Sequence, residues 1–370
     1  MLSRLDRYED FINFRYRNDF DKGHEYSVDE ISPDLLRRMS EGVFTRIVFS
    51  GMGCSAIVSD VIRTYLTAAN AGLEVYIFND YEFTYLLPES VISDESTLFI
   101  ISSYSGFSEE PVRVFHSLEG MHHRTLLLTS GGKLAALGRQ HGVSIARWAL
   151  SEPDREYPLF HVGQYFAILV DLFFRLGLIR EDHNAEVKNL PTDLSVDFNS
   201  DMLERAHDAA VNAKDANIIM VASPKWYESL LKLGKMHFNE MAMAPATRNY
   251  FHEFCHSEVA TLSDPSRKHH VMMFLDDDDD EYTRKKMKNL VRLLTQDIGQ
   301  NINVSVTEYE MTEPSFMRKY FTALEFIQIT ALNLGRYYGT ESRELISEAA
   351  GNPWYHGTAV RNDMQSIPAR

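Results

Sequence analysis

Thr45-Arg-Ile-Val-Phe-Ser-Gly-Met-Gly-Cys-Ser55 and Thr97-Leu-Phe-Ile-Ile-Ser-Ser-Tyr-Ser-Gly-Phe-Ser108 repeat one pattern: an apolar run, a glycine- and serine-bearing turn, then helical periodicity. The runs at 45–50 and 97–102 read as buried strands. Ile57, Val58, Val61, Ile62 and Leu66 carry the helical spacing after the first turn, and Val112, Val114, Phe115 and Leu118 after the second. Glycine lets the backbone turn tightly and approach a ligand. A helix start adds free N–H groups and the positive end of a dipole, which suit phosphate. Serine hydroxyls complete such a cradle without adding charge. Gly53, Cys54, Ser55, Ser103, Ser105 and Ser108 are therefore the candidate phosphate-binding residues. The same positions also have an ordinary structural reading, with Ser55 and Ser108 as helix N-caps and Gly51, Gly53 and Gly106 as turn residues. The first turn departs from the dinucleotide fingerprint at Ile57, and the chain has no P-loop sequence.

Around these turns strand and helix patterns alternate. Strands are expected near 45–50, 73–78, 97–102, 124–129 and 143–147, with helices near 55–68, 108–118, 133–141 and 161–177. Such alternation predicts a doubly wound parallel sheet with helices on both faces, whose ligands bind beyond the carboxyl ends of the strands. The polar stretch Arg180–Ser200, with Pro191, reads as a linker. Beyond it the alternation resumes, with helices near 201–213, 225–243, 283–297 and 315–337 and strands near 216–222, 271–275 and 302–306. The expected fold class is α/β, as two flavodoxin-like three-layer domains at 41–185 and 186–342. A helical segment at 1–40 precedes them, and a C-terminal helix and tail at 343–370 return over the cleft.

The 370-residue chain, 44% hydrophobic, has core material for two domains. Its net charge of −16 argues against nucleic acid, which needs clustered Lys and Arg. It leaves room for a small phosphate held by neutral groups. No apolar run reaches membrane-span length, and the start of the chain lacks a signal-peptide core. Two distant cysteines, Cys54 and Cys255, make no disulfide framework, which suits a cytoplasmic protein. They read as small pocket-lining hydrophobes. The acidic run Asp276–Asp280 lacks the glycine and ligand spacing of a calcium loop and reads as a solvated loop before a helix. His252, Cys255 and His256 have no second ligand pair at a zinc spacing, so no metal is expected.

Two ionisable groups stand out in the second half. Glu240 lies late in an amphipathic helical pattern, and His256 lies in His252-Glu-Phe-Cys-His-Ser-Glu258, read as a loop. A carboxylate and an imidazole facing one pocket can divide proton work between them. With the Gly51-Met-Gly-Cys-Ser55 and Ser103-Tyr-Ser-Gly-Phe-Ser108 turns, Asn239-Glu240 and Glu253-Phe-Cys-His256, the chain resembles the bifunctional phosphoglucose/phosphomannose isomerase family, built from two sugar-isomerase (SIS) domains. The resemblance spans about residues 45 to 345. It implies two doubly wound SIS domains and an aldose–ketose isomerase of glucose or mannose 6-phosphate, or a close relative. Glu240 would move a proton between C1 and C2, without a cofactor. His256 would assist ring opening, contributed across a homodimer interface to a shared active site. Two departures are plain. Leu159 follows the proline where the family has an Arg, leaving Arg155 as a spatial substitute. No lysine occurs between Arg343 and Arg370, leaving His356 in place of the family's C-terminal lysine. These departures define the alternative, a non-catalytic sugar-phosphate-binding SIS protein.

Overall fold

Among the described residues, ten strands form two sheets. A computed structural model describes residues 3–12, 20, 25–69, 72–149, 159, 161–297, 302–343 and 345. Arg155, His356 and the expected C-terminal helix lie outside the described residues. The first sheet comprises β1 (Tyr26–Glu30), β2 (Arg46–Gly51), β3 (Glu74–Asn79), β4 (Thr97–Ser102), β5 (Thr125–Thr129) and β6 (Ser144–Trp148), in the order β1-β6-β5-β4-β2-β3. Its pairings are parallel except β1 with β6, which is antiparallel. The second sheet is parallel throughout, with β7 (Asn217–Ala222), β8 (Ala246–Tyr250), β9 (His269–Asp276) and β10 (Val304–Met311) in the order β10-β9-β7-β8. That order repeats the β5-β4-β2-β3 part of the first sheet, so one winding occurs twice.

The expected strands and helices flanking the serine turns are present. β4 is buried at every residue, as its unbroken apolar run implies. Several elements differ from the sequence reading. Tyr26–Glu30 falls in the segment expected to be helical but pairs with β6 as an edge strand. Ala246–Tyr250 is a second unforeseen edge strand, polar because one side has no strand partner. The stretch read as a linker is largely a helix, Asn184–Asp197. Val187, Leu190 and Leu194 recur at helical spacing on its buried face, and that burial outweighs Pro191 inside it.

The helices Val162–Arg175 and Phe316–Tyr337 are buried along nearly their whole length. Phe166 meets Phe321 edge-on with centroids 5.4 Å apart, and Tyr65 lies 6.0 Å from Phe316. One apolar cluster therefore runs through helices belonging to both sheets. Each fully buried Phe or Leu there contributes about 1.5–3 kcal/mol. Among the described residues, no helix is long and apolar enough to cross a membrane.

His270 on β9 is buried, its Nδ1 2.9 Å from Ser305 Oγ and its Nε2 3.3 Å from Thr307 Oγ1. Burial pushes its imidazole down to about 4. In the unfolded chain the ring protonates near pH 6.5, so between those values the unfolded state binds the extra proton and this histidine costs stability as pH falls. His270→Gln removes that cost. Its melting temperature relative to wild type should rise between about pH 7 and pH 5. A difference independent of pH would contradict a neutral buried ring.

Candidate active site

Both serine turns lie at the carboxyl ends of β2 and β4, neighbouring strands at which the winding reverses direction. They are joined there, because Ser55 Oγ accepts the Tyr104 N–H at 3.3 Å. Gly53, at φ 54°, is the residue that opens the helix Cys54–Ala68, so Ser55 is not its N-cap. Ser108 does occupy the N-cap position of the helix Glu109–Ser117, but its side chain makes no capping bond. Neither hydroxyl is taken up by the ordinary role that sequence alone left open for it. Ser105 Oγ accepts the Phe107 N–H at 3.3 Å, while Ser103 is buried and its N–H bonds Leu128 O at 3.1 Å.

A third loop, Thr129-Ser130-Gly131-Gly132, supports the second turn and was not singled out from sequence. Ser130 Oγ donates to Tyr104 O at 2.7 Å, and the Leu134 N–H bonds Gly106 O at 2.9 Å. A Cβ on Gly106 would stand 2.1 Å from Gly131 O, and one on Gly132 2.4 Å from Ser105 O. Both glycines hold positive φ, at 66° and 64°. The visible signal was again strand, Ser-Gly-Gly, then helix. Below this layer the Ser102 hydroxyl bonds the Tyr165 hydroxyl, and the Tyr165 ring stacks on Trp148 at 4.8 Å. Burial holds the Tyr165 phenol above its ordinary range, so it stays neutral.

Glu240 is half-buried in a composite helix, Pro224–Ala242. Two turns of that helix, Tyr227–Leu231 and Phe238–Ala242, are π-helical, and Glu240 sits in the second. π-turns are rare and concentrate at functional sites. Met243 ends the helix with φ 52°. This helix is tied to the one after the first serine turn: Lys232 Nζ lies 2.7 Å from Asp60 Oδ2. Burial raises the Asp60 carboxyl above its usual value, against the pull of Lys232. Arg248 Nη2 and Glu228 Oε2, 3.1 Å apart, extend the network on the second-sheet side.

His256 ends the short helix Phe251–His256, rather than lying in a loop. It is exposed, beside the edge strand β8, and makes no side-chain hydrogen bond among the described residues. Cys255 is also exposed, which corrects its reading as a pocket-lining hydrophobe. Of the candidate residues, the structure joins Ser55 to the Ser103–Ser108 turn and clamps the Glu240 helix onto the Ser55 helix. No hydrogen bond or ion pair among the described residues joins His256 to them.

The second sheet has a crevice in the equivalent place, between β7 and β9, with different contents. Asp276 is fully buried, which corrects the view of its run as simply solvated. Lys319 Nζ lies 2.7 Å from Asp276 and 2.6 Å from Asp278, and also bonds Asp277. Lys225 Nζ and Trp226 Nε1 reach the other Asp276 oxygen at 2.8 and 2.9 Å. The three carboxylates are close enough together to hold a metal ion, but the Lys319 ammonium occupies their focus.

Residues 203–345 match a family described as bacterial phospho-glucose isomerase C-terminal SIS domain. A bifunctional phosphoglucose/phosphomannose isomerase of Caldicellulosiruptor bescii is 25% identical over 315 residues, 84% of this chain and 89% of the relative. One from Thermoplasma acidophilum is 26% identical over 304 residues, 82% of this chain and 87% of the relative. Tagatose-6-phosphate ketose/aldose isomerase from Escherichia coli superposes with a TM-score of 0.65 at 15% identity, over 92% of this chain and 96% of its own. The C-terminal domain of glucosamine-fructose-6-phosphate aminotransferase from Francisella tularensis gives 0.61 at 12% identity, over 90% and 96%. These two structural likenesses establish the fold.

The packing of Gly106 generates a test. Gly106→Ala should destabilise the chain by at least about 2 kcal/mol, because the methyl meets Gly131 O and the backbone is held at positive φ. Denaturant unfolding that finds the variant as stable as wild type would show that the two loops do not touch.

Proposed function

We propose that this chain, a member of the bifunctional phosphoglucose/phosphomannose isomerase family, is an aldose–ketose isomerase of a phosphorylated hexose. The reading is carried by the bond between Tyr104 N–H and Ser55 Oγ, which makes one anion cradle from two turns. In this reading the first SIS domain spans 41–185 and the second 186–342. The phosphate rests on the turn at Gly53, Cys54 and Ser55, at the start of the helix Cys54–Ala68, and on the hydroxyls of Ser55, Ser103, Ser105 and Ser108. The neutral cradle explains how a chain of net charge −16 takes an anion.

Isomerisation moves one proton between adjacent carbons and is redox-neutral, so it asks for a base and no redox cofactor. Glu240 takes the proton from C2 of the open-chain aldose and returns it to C1 of the enediol. His256 exchanges a proton with the ring oxygen and the anomeric hydroxyl to open the cyclic sugar, work suited to an imidazole near neutral pH. Its exposure on the open edge of the second sheet fits delivery to the site of a second copy, so the active form is a homodimer in the cytoplasm with shared sites. The missing Arg and Lys leave the enediolate to main-chain dipoles and to charges the family pattern does not include.

Incubation with glucose, mannose and fructose 6-phosphates in heavy water tests the reading by deuterium incorporation at C1 or C2. Glu240→Gln should slow exchange by about 10²- to 10⁴-fold. A lack of exchange for all three sugars rejects them as substrates, thermal stabilisation by a sugar phosphate without exchange identifies a binder, and wild-type exchange by Glu240→Gln removes the proposed base. Mixing the inactive Glu240→Gln and His256→Asn variants tests the shared site. Randomly mixed dimers should regain up to about a quarter of wild-type activity, since half are hybrid and each hybrid has one intact site of two. No recovery would place both residues of each site on one chain.

A further inference from the structure

We infer that Arg4, in the N-terminal helix Arg4–Asp10, is a positioning residue for Glu240, an inference that rests on reading Glu240 as the base. Ser3 caps that helix with a reciprocal capping box to Asp6. Leu5, fully buried, packs over Gly335 of the helix Phe316–Tyr337, and Arg336 of the same helix pairs with Glu9. So docked, the short helix carries the Arg4 guanidinium inside the protein, where the residue is 7% exposed. There Arg4 donates to the carbonyl oxygen of Glu240 itself, to Met241 O at 3.1 Å and to Thr340 O at 3.0 Å. Thr340 Oγ1 donates to Met241 O as well, at 3.0 Å.

The chemistry of a helix end explains why this contact matters. The last carbonyls of a helix lack intrahelical donors and carry the negative end of its dipole. Here the last turn is also π-helical, a register that costs stability unless its surroundings hold it. Arg4 provides a planar, permanently charged fork that bonds two successive carbonyls of that turn and a third from the segment after Phe316–Tyr337. Room for the approach comes from Gly335, where a Cβ would stand 2.9 Å from Met241 O. The backbone of the base is thereby fixed by a residue more than two hundred positions earlier. Without it the Glu240 turn is free to relax toward ordinary helical register, which rotates the carboxylate away from its working direction.

Arg4→Met, Thr340→Val and Arg4→Met/Glu240→Gln, each with melting temperature, kcat and KM, test the inference. Folded Arg4→Met should lose about 10- to 100-fold in kcat, as a misplaced catalytic group does, with KM within about twofold because the phosphate cradle lies on the first sheet. Arg4→Lys should recover part of the loss. The double variant should be no slower than Glu240→Gln alone, because Arg4 acts through Glu240. A folded Arg4→Met with kcat within twofold of wild type, while Glu240→Gln is inactive, overturns the inference and leaves the function intact. Losses that multiply in the double variant overturn it too. Should Arg4→Met fail to fold, Thr340→Val decides: a several-fold fall in kcat at constant KM supports the inference, and an unchanged kcat overturns it. Full activity in Glu240→Gln removes the functional reading itself.

Discussion

Lys232 Nζ and Asp60 Oδ2, 2.7 Å apart, are the polar contact on which the geometry between the two sheets depends. Asp60 is buried in the helix that follows the first serine turn, and Lys232 is in the helix that carries Glu240. Transfer of a carboxylate into such a place is unfavourable by several kcal/mol, and the ammonium offsets that only in one relative placement of the two helices. The shared apolar cluster supplies most of the stabilisation but tolerates sliding. The ion pair does not, since removing one partner strands the other and costs about 3–5 kcal/mol. Burial raises the Asp60 carboxyl, and Lys232 holds it back toward its ionised form. The pair thus acts as a register mark between the helix that follows the first serine turn and the helix that carries Glu240, the proposed base.

Much of the first crevice was legible because its signals are local. A strand with both faces buried reads as an unbroken apolar run, as β2 and β4 do. A turn that must hug another backbone needs glycine, as at Gly106. What was not legible depends on which segments meet in space. The edge strands β1 and β8 alternate with polar residues because each faces solvent on one side, and only their partners β6 and β7 identify them. The helix Asn184–Asp197 is hidden by Pro191 and by its polar outer face. The Ser130-Gly131-Gly132 support, the Asp60–Lys232 pair and Arg4 beneath Glu240 join positions far apart in sequence, and no periodicity announces them.

The two sheets show how little topology alone decides chemistry. Both wind in the same order, so the turn after β9 is the counterpart of the turn after β4. In the first sheet that place holds uncharged serines and a glycine, Ser103, Ser105, Gly106 and Ser108. In the second it holds Asp276, Asp277 and Asp278 gathered on Lys319, with Lys225 and Trp226 closing the other side. An arriving phosphate would meet carboxylates there, and the Lys319 and Lys225 ammonium groups are already engaged. The repeated architecture therefore presents one uncharged pair of turns, the proposed anion cradle, and one acidic cluster satisfied from within.

In the proposed mechanism that asymmetry gives the halves separate duties and explains where precision is needed. Phosphate is a large, highly charged handle that a nest of backbone and hydroxyl donors can grip through several partial contacts, so the loss of one is tolerable. Proton transfer between neighbouring carbons has no such redundancy, because a single carboxylate must serve two atoms in one plane. The structure places its tight constraints accordingly. The helix carrying Glu240 is held near its start by Asp276 through Lys225, in its middle by Asp60 through Lys232, and at its end by Arg4 and Thr340 on the carbonyls of the π-turn. A helix with two π-turns has surrendered some backbone regularity, and these three anchors, drawn from both sheets and the N-terminal helix, are what fix the irregular register.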